Sequence, residues 1–232
     1  MSLINPGPDP DFPRLEVTDY FPFSDPATWK GDIVGIGGNL SPGMLLSAYE
    51  QGIFPWYGPD DPILWQSPDP RCLIFPDSLH ISSSMHKILK NGVFDISFNK
   101  DFYGVIMGCA QTKRRGQEGG GTWITNDVIE GYLELHSLGW AHSAEAWQGG
   151  ELVGGCYGVL MGGVFIGESM FSRTNNASKA AFLTLAQSLF DHGVAFVDCQ
   201  VPTEHLSSLG GTVWPRKYFL PLLKKNIGGR FS

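Results

Sequence analysis

The chain has 232 residues, 42% of them hydrophobic and only 17% charged, a balance that supplies a real core and excludes a disordered chain or a coiled coil. Its 30 glycines follow no collagen-like period. A net charge of −7 argues against a nucleic-acid partner, but residues 1–70 carry two basic and ten acidic side chains, whereas residues 71–232 carry fourteen and thirteen.

Basic side chains therefore cluster in the second part, at Lys87 and Lys90, Lys113-Arg114-Arg115, Arg216-Lys217, and Lys224-Lys225 with Arg230. A polyanion could dock on one local face there, although ordinary solvated charge accounts for the same residues equally well. The N-terminus lacks a secretory pattern, and the longest uncharged interior run, Leu152 to Gly167, is too short and glycine-rich to span a bilayer. Four cysteines (Cys72, Cys109, Cys156 and Cys199) and six histidines show no metal-ligand spacing. A soluble cytoplasmic protein without metal, cofactor or membrane contact is expected.

In chain order, residues 1–30 read as an irregular arm rich in Pro and Asp. Gly35-Ile36-Gly37-Gly38-Asn39 reads as a glycine turn, and Ser41 can cap a helix with Pro42 first and Gly52 past its end. Short apolar runs at Ile53–Tyr57 and Ile63–Trp65 precede Ser67-Pro68-Asp69-Pro70, which marks a boundary between a small N-terminal domain (1–69) and the rest (70–232). Beyond it the pattern is mixed α/β. A helix over Ser82–Lys90 and a strand over Val93–Phe98 come first. Two helices follow, Asp101–Ala110 capped by Asn99 and Asp127–Leu138 capped by Thr125. Three strands, Ala141–Trp147, Glu151–Leu160 and Val164–Phe171, are joined by glycine turns. An amphipathic helix over Ala177–Phe190, a strand over Val194–Val201 and a short helix to Leu209 complete the pattern.

Three polar side chains stand out on apolar strands. Asp198 and Gln200, two positions apart, are predicted to share one face, with Cys199 on the other. Glu168 interrupts Val164–Phe171 in the same way. Such groups are costly unless they meet a polar partner, so they either fill a buried hydrogen-bond network or serve an amine or its proton. Arg173 and Lys179 flank the start of a helix whose free N–H groups suit a phosphate, though ordinary capping explains them too. Trp56 and Trp123 lie in glycine-flanked loops, where an indole either stacks on a base or pins the loop to the core.

Taken together, several segments resemble one family, the leucyl/phenylalanyl-tRNA–protein transferases. They include Gly52-Ile53-Phe54-Pro55-Trp56, Ser67-Pro68-Asp69-Pro70-Arg71 and Gly121-Thr122-Trp123-Ile124-Thr125. The most specific are Gly167-Glu168-Ser169-Met170-Phe171-Ser172-Arg173, Asn176-Ala177-Ser178-Lys179 and Asp198-Cys199-Gln200-Val201. The resemblance runs in order from about residue 35 to 220. It implies an α/β (α+β) chain with a family-specific N-terminal domain, then a GNAT-type acyltransferase domain whose mixed sheet is flanked by helices. It also implies transfer of Leu or Phe, and less readily Met, from aminoacyl-tRNA to proteins beginning with Arg or Lys, creating a degradation signal.

By the same resemblance Asp198 and Gln200 match a catalytic pair, Glu168 a site carboxylate, and Trp56 and Trp123 aromatics near the terminal adenosine. Phe165, Phe182, Cys156, Leu185 and Leu189 match the aminoacyl side-chain pocket, with the last two and Cys156 differing in type from other members. Lys87, Lys90, Arg173 and Lys179 are candidate phosphate contacts. The sequence departs from the family pattern at Asn39 (usually Asp), Gln66 (a second Trp) and Ser83 (an expected Arg), and Gly119-Gly120-Gly121 looks expanded. A rival reading, a CoA-dependent N-acetyltransferase, finds only a broken loop motif at Gln117–Thr122.

Overall fold

The computed structural model describes residues 7–112 and 122–228, so Lys113-Arg114-Arg115, the Gln117–Gly121 part of the loop motif and Arg230 lie outside the described residues. Residues 7–32 hold no helix or strand, apart from an isolated bridge between Gly7 and Pro62. They are nonetheless strapped down. Strand β1 (Ile33–Ile36) takes in the first half of the expected glycine turn, and α1 (Pro42–Glu50) follows. The arm lies along that helix: Leu15 N–H donates to Ser41 Oγ at 3.0 Å, Phe21 N–H to Ser47 Oγ at 2.9 Å, and Phe23 N–H to Gln51 Oε1 at 3.0 Å.

This contact corrects one expectation. Ser41 holds the N-cap position but makes no side-chain cap bond, because its hydroxyl serves the arm instead. Asn39 helps in a way that Asp could not, since its amide donates to the carbonyls of Phe12 and Pro13.

Strands β2 (Phe54–Pro55) and β3 (Leu64–Gln66) join β1 in a small antiparallel sheet of order β1-β3-β2. The larger sheet begins with β4 (Arg71–Ile74) and continues through α2 (Ser83–Lys90), β5 (Asp95–Phe98), α3 (Phe102–Gln111) and α4 (Asn126–Ser137). Next come β6 (Ala141–Gln148), β7 (Glu151–Met161), β8 (Val164–Ser172), α5 (Ala177–Asp191) and β9 (Phe196–Asp198). The chain closes with α6 (Glu204–Ser208), β10 (Thr212–Trp214) and α7 (Arg216–Asn226). The order is β10-β4-β9-β8-β7-β6-β5, antiparallel except where β8 pairs with β9. An antiparallel meander, then a helical crossover to one parallel strand, gives the mixed, helix-flanked sheet expected of the second domain. The fold class is mixed α/β.

Two clusters cover the two faces of this sheet. Phe102, Val105 and Ile106 of α3 pack with Val164, Ile166 and Phe196, while Ala180, Phe182 and Leu185 of α5 pack with the alternate residues Phe165 and Val197. The first cluster runs unbroken from Val34, Tyr49 and Trp65 of the N-terminal part to Phe219 and Leu223 of α7. Close approach of α5 needs Gly154 on β7, where a Cβ would sit 2.6 Å from that of Ala177.

Another helix start departs from expectation. Asp101, not Asn99, caps α3 by accepting from Gly104 N–H at 2.8 Å, while Asn99 accepts from Ser143 N–H. At the start of α5, Asn176 stands at the N-cap with φ +72° and makes no side-chain cap bond, and Ser178 N–H donates to Ser172 Oγ.

Candidate active site

Glu168, Gln200 and Asp198 form one hydrogen-bonded unit where β8 and β9 run side by side. The pairing of β7 with β8 slips at this point: Gly158 faces Gly167 and Tyr157 faces Ser169, so Glu168 is the extra residue of a β-bulge. Bulges re-aim side chains, and this one sends a carboxylate out of an apolar strand. Strand β9 ends at Asp198, and Gln200 adopts φ +63°, which breaks the simple alternation expected over 194–201. Cys199 and Gln200 consequently both line the cavity, rather than facing opposite ways.

The bonds around Glu168 are specific. Its Oε1 accepts from Tyr49 OH at 2.9 Å and from Gln200 Nε2 at 3.0 Å, and its Oε2 accepts from Tyr132 OH at 2.8 Å. The two phenols also touch each other. Burial raises the Glu168 carboxyl from 4.5 to about 7 and nearby Asp198 pushes the same way, against the phenol hydrogen bonds and the Arg71 charge. An ionised carboxylate only accepts, so the Gln200 nitrogen faces it and the amide oxygen remains for another partner.

Asp198 is anchored from behind. Arg71 on β4 grips it through Nε (2.9 Å to Oδ1, 3.2 Å to Oδ2) and Nη2 (2.7 Å to Oδ2). Asp198 Oδ1 in turn accepts from Gln200 N–H at 2.9 Å. The guanidinium lies between the rings of Phe54 (4.9 Å) and Phe219 (4.6 Å) and donates to Gly52 O at 3.2 Å. Such a pair tolerates burial because both charges are matched and the flat cation is stacked.

Glu168 and Gln200 open onto a cavity of about 370 Å³ whose walls are mainly apolar. Cys156, Phe165, Met170 and Phe182 line it together with Trp56 and Trp123. Trp56 is 40% exposed and Trp123 only 7%. Gln66 donates to Trp56 O through its amide, which ties that loop to β3. Leu185 and Leu189, expected in the same wall, are not there: they belong to the α5 core cluster along with Phe182. Lys87 and Lys90 are exposed on α2. Arg173, also exposed, donates to Leu152 O and covers the ring of Phe171. Lys179 is half-buried near the start of α5, and none of these four cations lines the cavity. Among the described residues no three His, Cys, Asp or Glu side chains converge as metal ligands.

Residues 73–224 match the sequence pattern of a family described as leucyl/phenylalanyl-tRNA protein transferase, and residues 38–69 match that of its N-terminal domain. The chain belongs to this family. It is a transferase enzyme, similar to a protein of Hahella chejuensis named leucyl/phenylalanyl-tRNA–protein transferase, with 46% identity over 96% of this chain and 94% of that one. Relatives of the same name from Myxococcus xanthus and Shigella dysenteriae are 48% and 50% identical, covering 84% and 85% of this chain and 83% and 82% of theirs.

Three residues of the candidate site escape a reading of the sequence. Arg71 leaves a faint signal, a lone charge at the head of the apolar run Cys72-Leu73-Ile74. Tyr49 and Tyr132 leave none, because buried tyrosines on helices look like ordinary core.

Proposed function

We propose that this enzyme moves Leu or Phe, and less readily Met, from aminoacyl-tRNA to the α-amino group of proteins beginning with Arg or Lys. The reading takes the 1–69 segment as the N-terminal domain and the cytoplasm as the place of action. The observation that carries it is the Asp198–Gln200–Glu168 unit set in the wall of an apolar cavity that two tryptophans share.

In this reading the aminoacyl side chain fills the space beside Cys156, Phe165 and Phe182. Trp56 and Trp123 hold the terminal base, a contact that typically adds about 1–3 kcal/mol per base. Asp198 acts through Gln200, holding its backbone so that the amide oxygen accepts from the incoming amine. That nitrogen attacks the ester carbonyl, a C–N bond forms, and the C–O bond to the ribose breaks. The amine loses one proton and the ribose oxygen gains one, and Glu168, half-ionised near neutral pH, is placed to relay it. The ester is already activated, so positioning supplies most of the acceleration. Lys87, Lys90, Arg173 and Lys179 are proposed contacts for the tRNA backbone.

The test offers labelled Leu-tRNA, or labelled acetyl-CoA, together with a peptide beginning in Arg. Label is expected to move from the tRNA only. Asp198→Ala and Gln200→Ala should each lower turnover strongly and leave tRNA binding nearly intact, and unchanged turnover would refute the assignment.

A further inference from the structure

Two cysteines meet directly behind the Gln200 turn. The antiparallel register pairs Leu73 with Asp198 and Ile74 with Val197, and one step on Cys72 meets both Cys199 and Gln200. Backbone bonds hold that step: Cys199 N–H donates to Cys72 O at 2.8 Å, and Cys72 N–H to Gln200 O at 2.9 Å. The two thiols influence each other: a hydrogen bond from Cys199 holds the Cys72 thiol below its ordinary value, while that bond and burial push the Cys199 thiol up. The direct backbone bond between the two residues keeps their Cα atoms near the roughly 4.4–6.8 Å that a disulfide spans. Access to the two sulfurs is unequal. Cys72 is buried, whereas Cys199 is half-buried and lines the cavity.

We propose that Cys72 and Cys199 form a reversible dithiol–disulfide site, oxidised by hydroperoxides that enter the cavity, which switches off the transfer reaction. Cys199 first passes its proton to the Cys72 sulfur and attacks the peroxide as the thiolate; the O–O bond breaks, and an alcohol or water leaves, taking up a proton, while Cys199 becomes a sulfenic acid. Cys72 sulfur then attacks Cys199, the S–O bond breaks, and the oxygen departs as water with the second thiol proton. Two thiols lose two electrons and two protons, and the peroxide takes up both. A dithiol reductant reverses the bridge. The bond pulls on Cys199, the residue between Asp198 and Gln200, and so draws the Gln200 amide away from Glu168. The loss of activity rests on the proposed transfer reaction; formation of the bridge does not.

The full-length enzyme, treated with a few equivalents of hydrogen peroxide, is digested without reduction and analysed by mass spectrometry while leucyl transfer is followed in parallel. A peptide pair linked through Cys72 and Cys199 is expected, with transfer reduced at least tenfold and restored by dithiothreitol. Cys72→Ala should transfer leucine at the normal rate before treatment. Lacking the resolving thiol, it should overoxidise at Cys199 and fail to recover with dithiothreitol; Cys72→Ser serves if the alanine variant does not fold. Absence of the linked pair in the wild type overturns the site, as does full recovery of Cys72→Ala. A linked pair with undiminished transfer overturns the switch. An enzyme inactive even when reduced counts instead against the transfer reaction, because the linkage is read by mass alone.

Discussion

Arg71 and Asp198 form a two-pronged ion pair in which each side chain is 1% exposed, and through it the backbone of Gln200 is held in place. Removing one member leaves an uncompensated buried charge, which typically costs about 3–5 kcal/mol. Arg71→Met should therefore destabilise the protein by that amount in urea unfolding. The double variant Arg71→Met/Asp198→Leu should recover much of the stability, because neither charge remains. Its transfer rate should stay low, since the Gln200 N–H has lost its anchor. Recovery of both would reduce the pair to a structural brace.

Glu168 makes stability depend on pH with a definite sign. Burial lifts its carboxyl from 4.5 to about 7, so between those values the folded protein keeps a proton that the unfolded chain has released. The stability contributed by this proton is complete below about pH 4.5 and is lost as pH rises through 7. The full span is on the order of 3 kcal/mol. Glu168→Gln removes the dependence. Its stability relative to the wild type should climb between pH 4.5 and 7 and level off above, as denaturant unfolding at pH 5 and pH 8 would measure.

What could be read in advance follows from how local each signal is. The meander β6–β8 and helix α5 announce themselves through glycine turns and apolar periodicity within a few residues of one another, as does the Thr125 cap, which accepts from Val128 N–H. Strand β4 carries a charge at its head, β10 has three residues, and α7 contains Pro221, so none of the three offers a local pattern. In the site, Glu168, Asp198 and Gln200 are legible because polar groups on apolar strands need a reason. Tyr49 and Tyr132 reach Glu168 from 119 and 36 positions away, and only the tertiary fold brings them there. The bulge at Glu168 and the positive φ at Gln200 likewise belong to strand pairing, which no single strand encodes.

The two tyrosines should tune the reaction rather than merely fill space. Both phenols hold the Glu168 carboxyl down by donating to it, against burial that pushes it up. Tyr132→Phe deletes one such bond, typically about 1.5–3 kcal/mol for a charged acceptor. The acid limb of the rate profile should then move to higher pH by about one to two pH units. Tyr49→Phe should move it in the same direction. A transfer profile from pH 5.5 to 9 at saturating substrate decides the matter, and an unmoved limb with a lowered plateau would assign the phenols to packing alone.

Gly158 permits the bulge from which Glu168 projects, and its replacement separates that geometry from general packing. A Cβ there would lie 2.2 Å from Ile166 O and 2.7 Å from the Phe165 ring, so β8 must shift away from β7. Facing it, Gly167 would place a Cβ 3.7 Å from Asp198 O, an ordinary contact. Gly158→Ala should destabilise by about 1–3 kcal/mol, as overpacked cores do. In a chain of this size the thermal midpoint falls by about 2–4 °C for each kcal/mol. Gly167→Ala should leave that midpoint nearly unchanged. Because the shift in β8 carries Glu168 and Phe165 with it, Gly158→Ala should also lose transfer activity at temperatures where it remains fully folded. Circular dichroism melts paired with transfer assays well below the midpoint check both halves, and a folded, fully active Gly158→Ala enzyme would show that the bulge does not need a glycine opposite it.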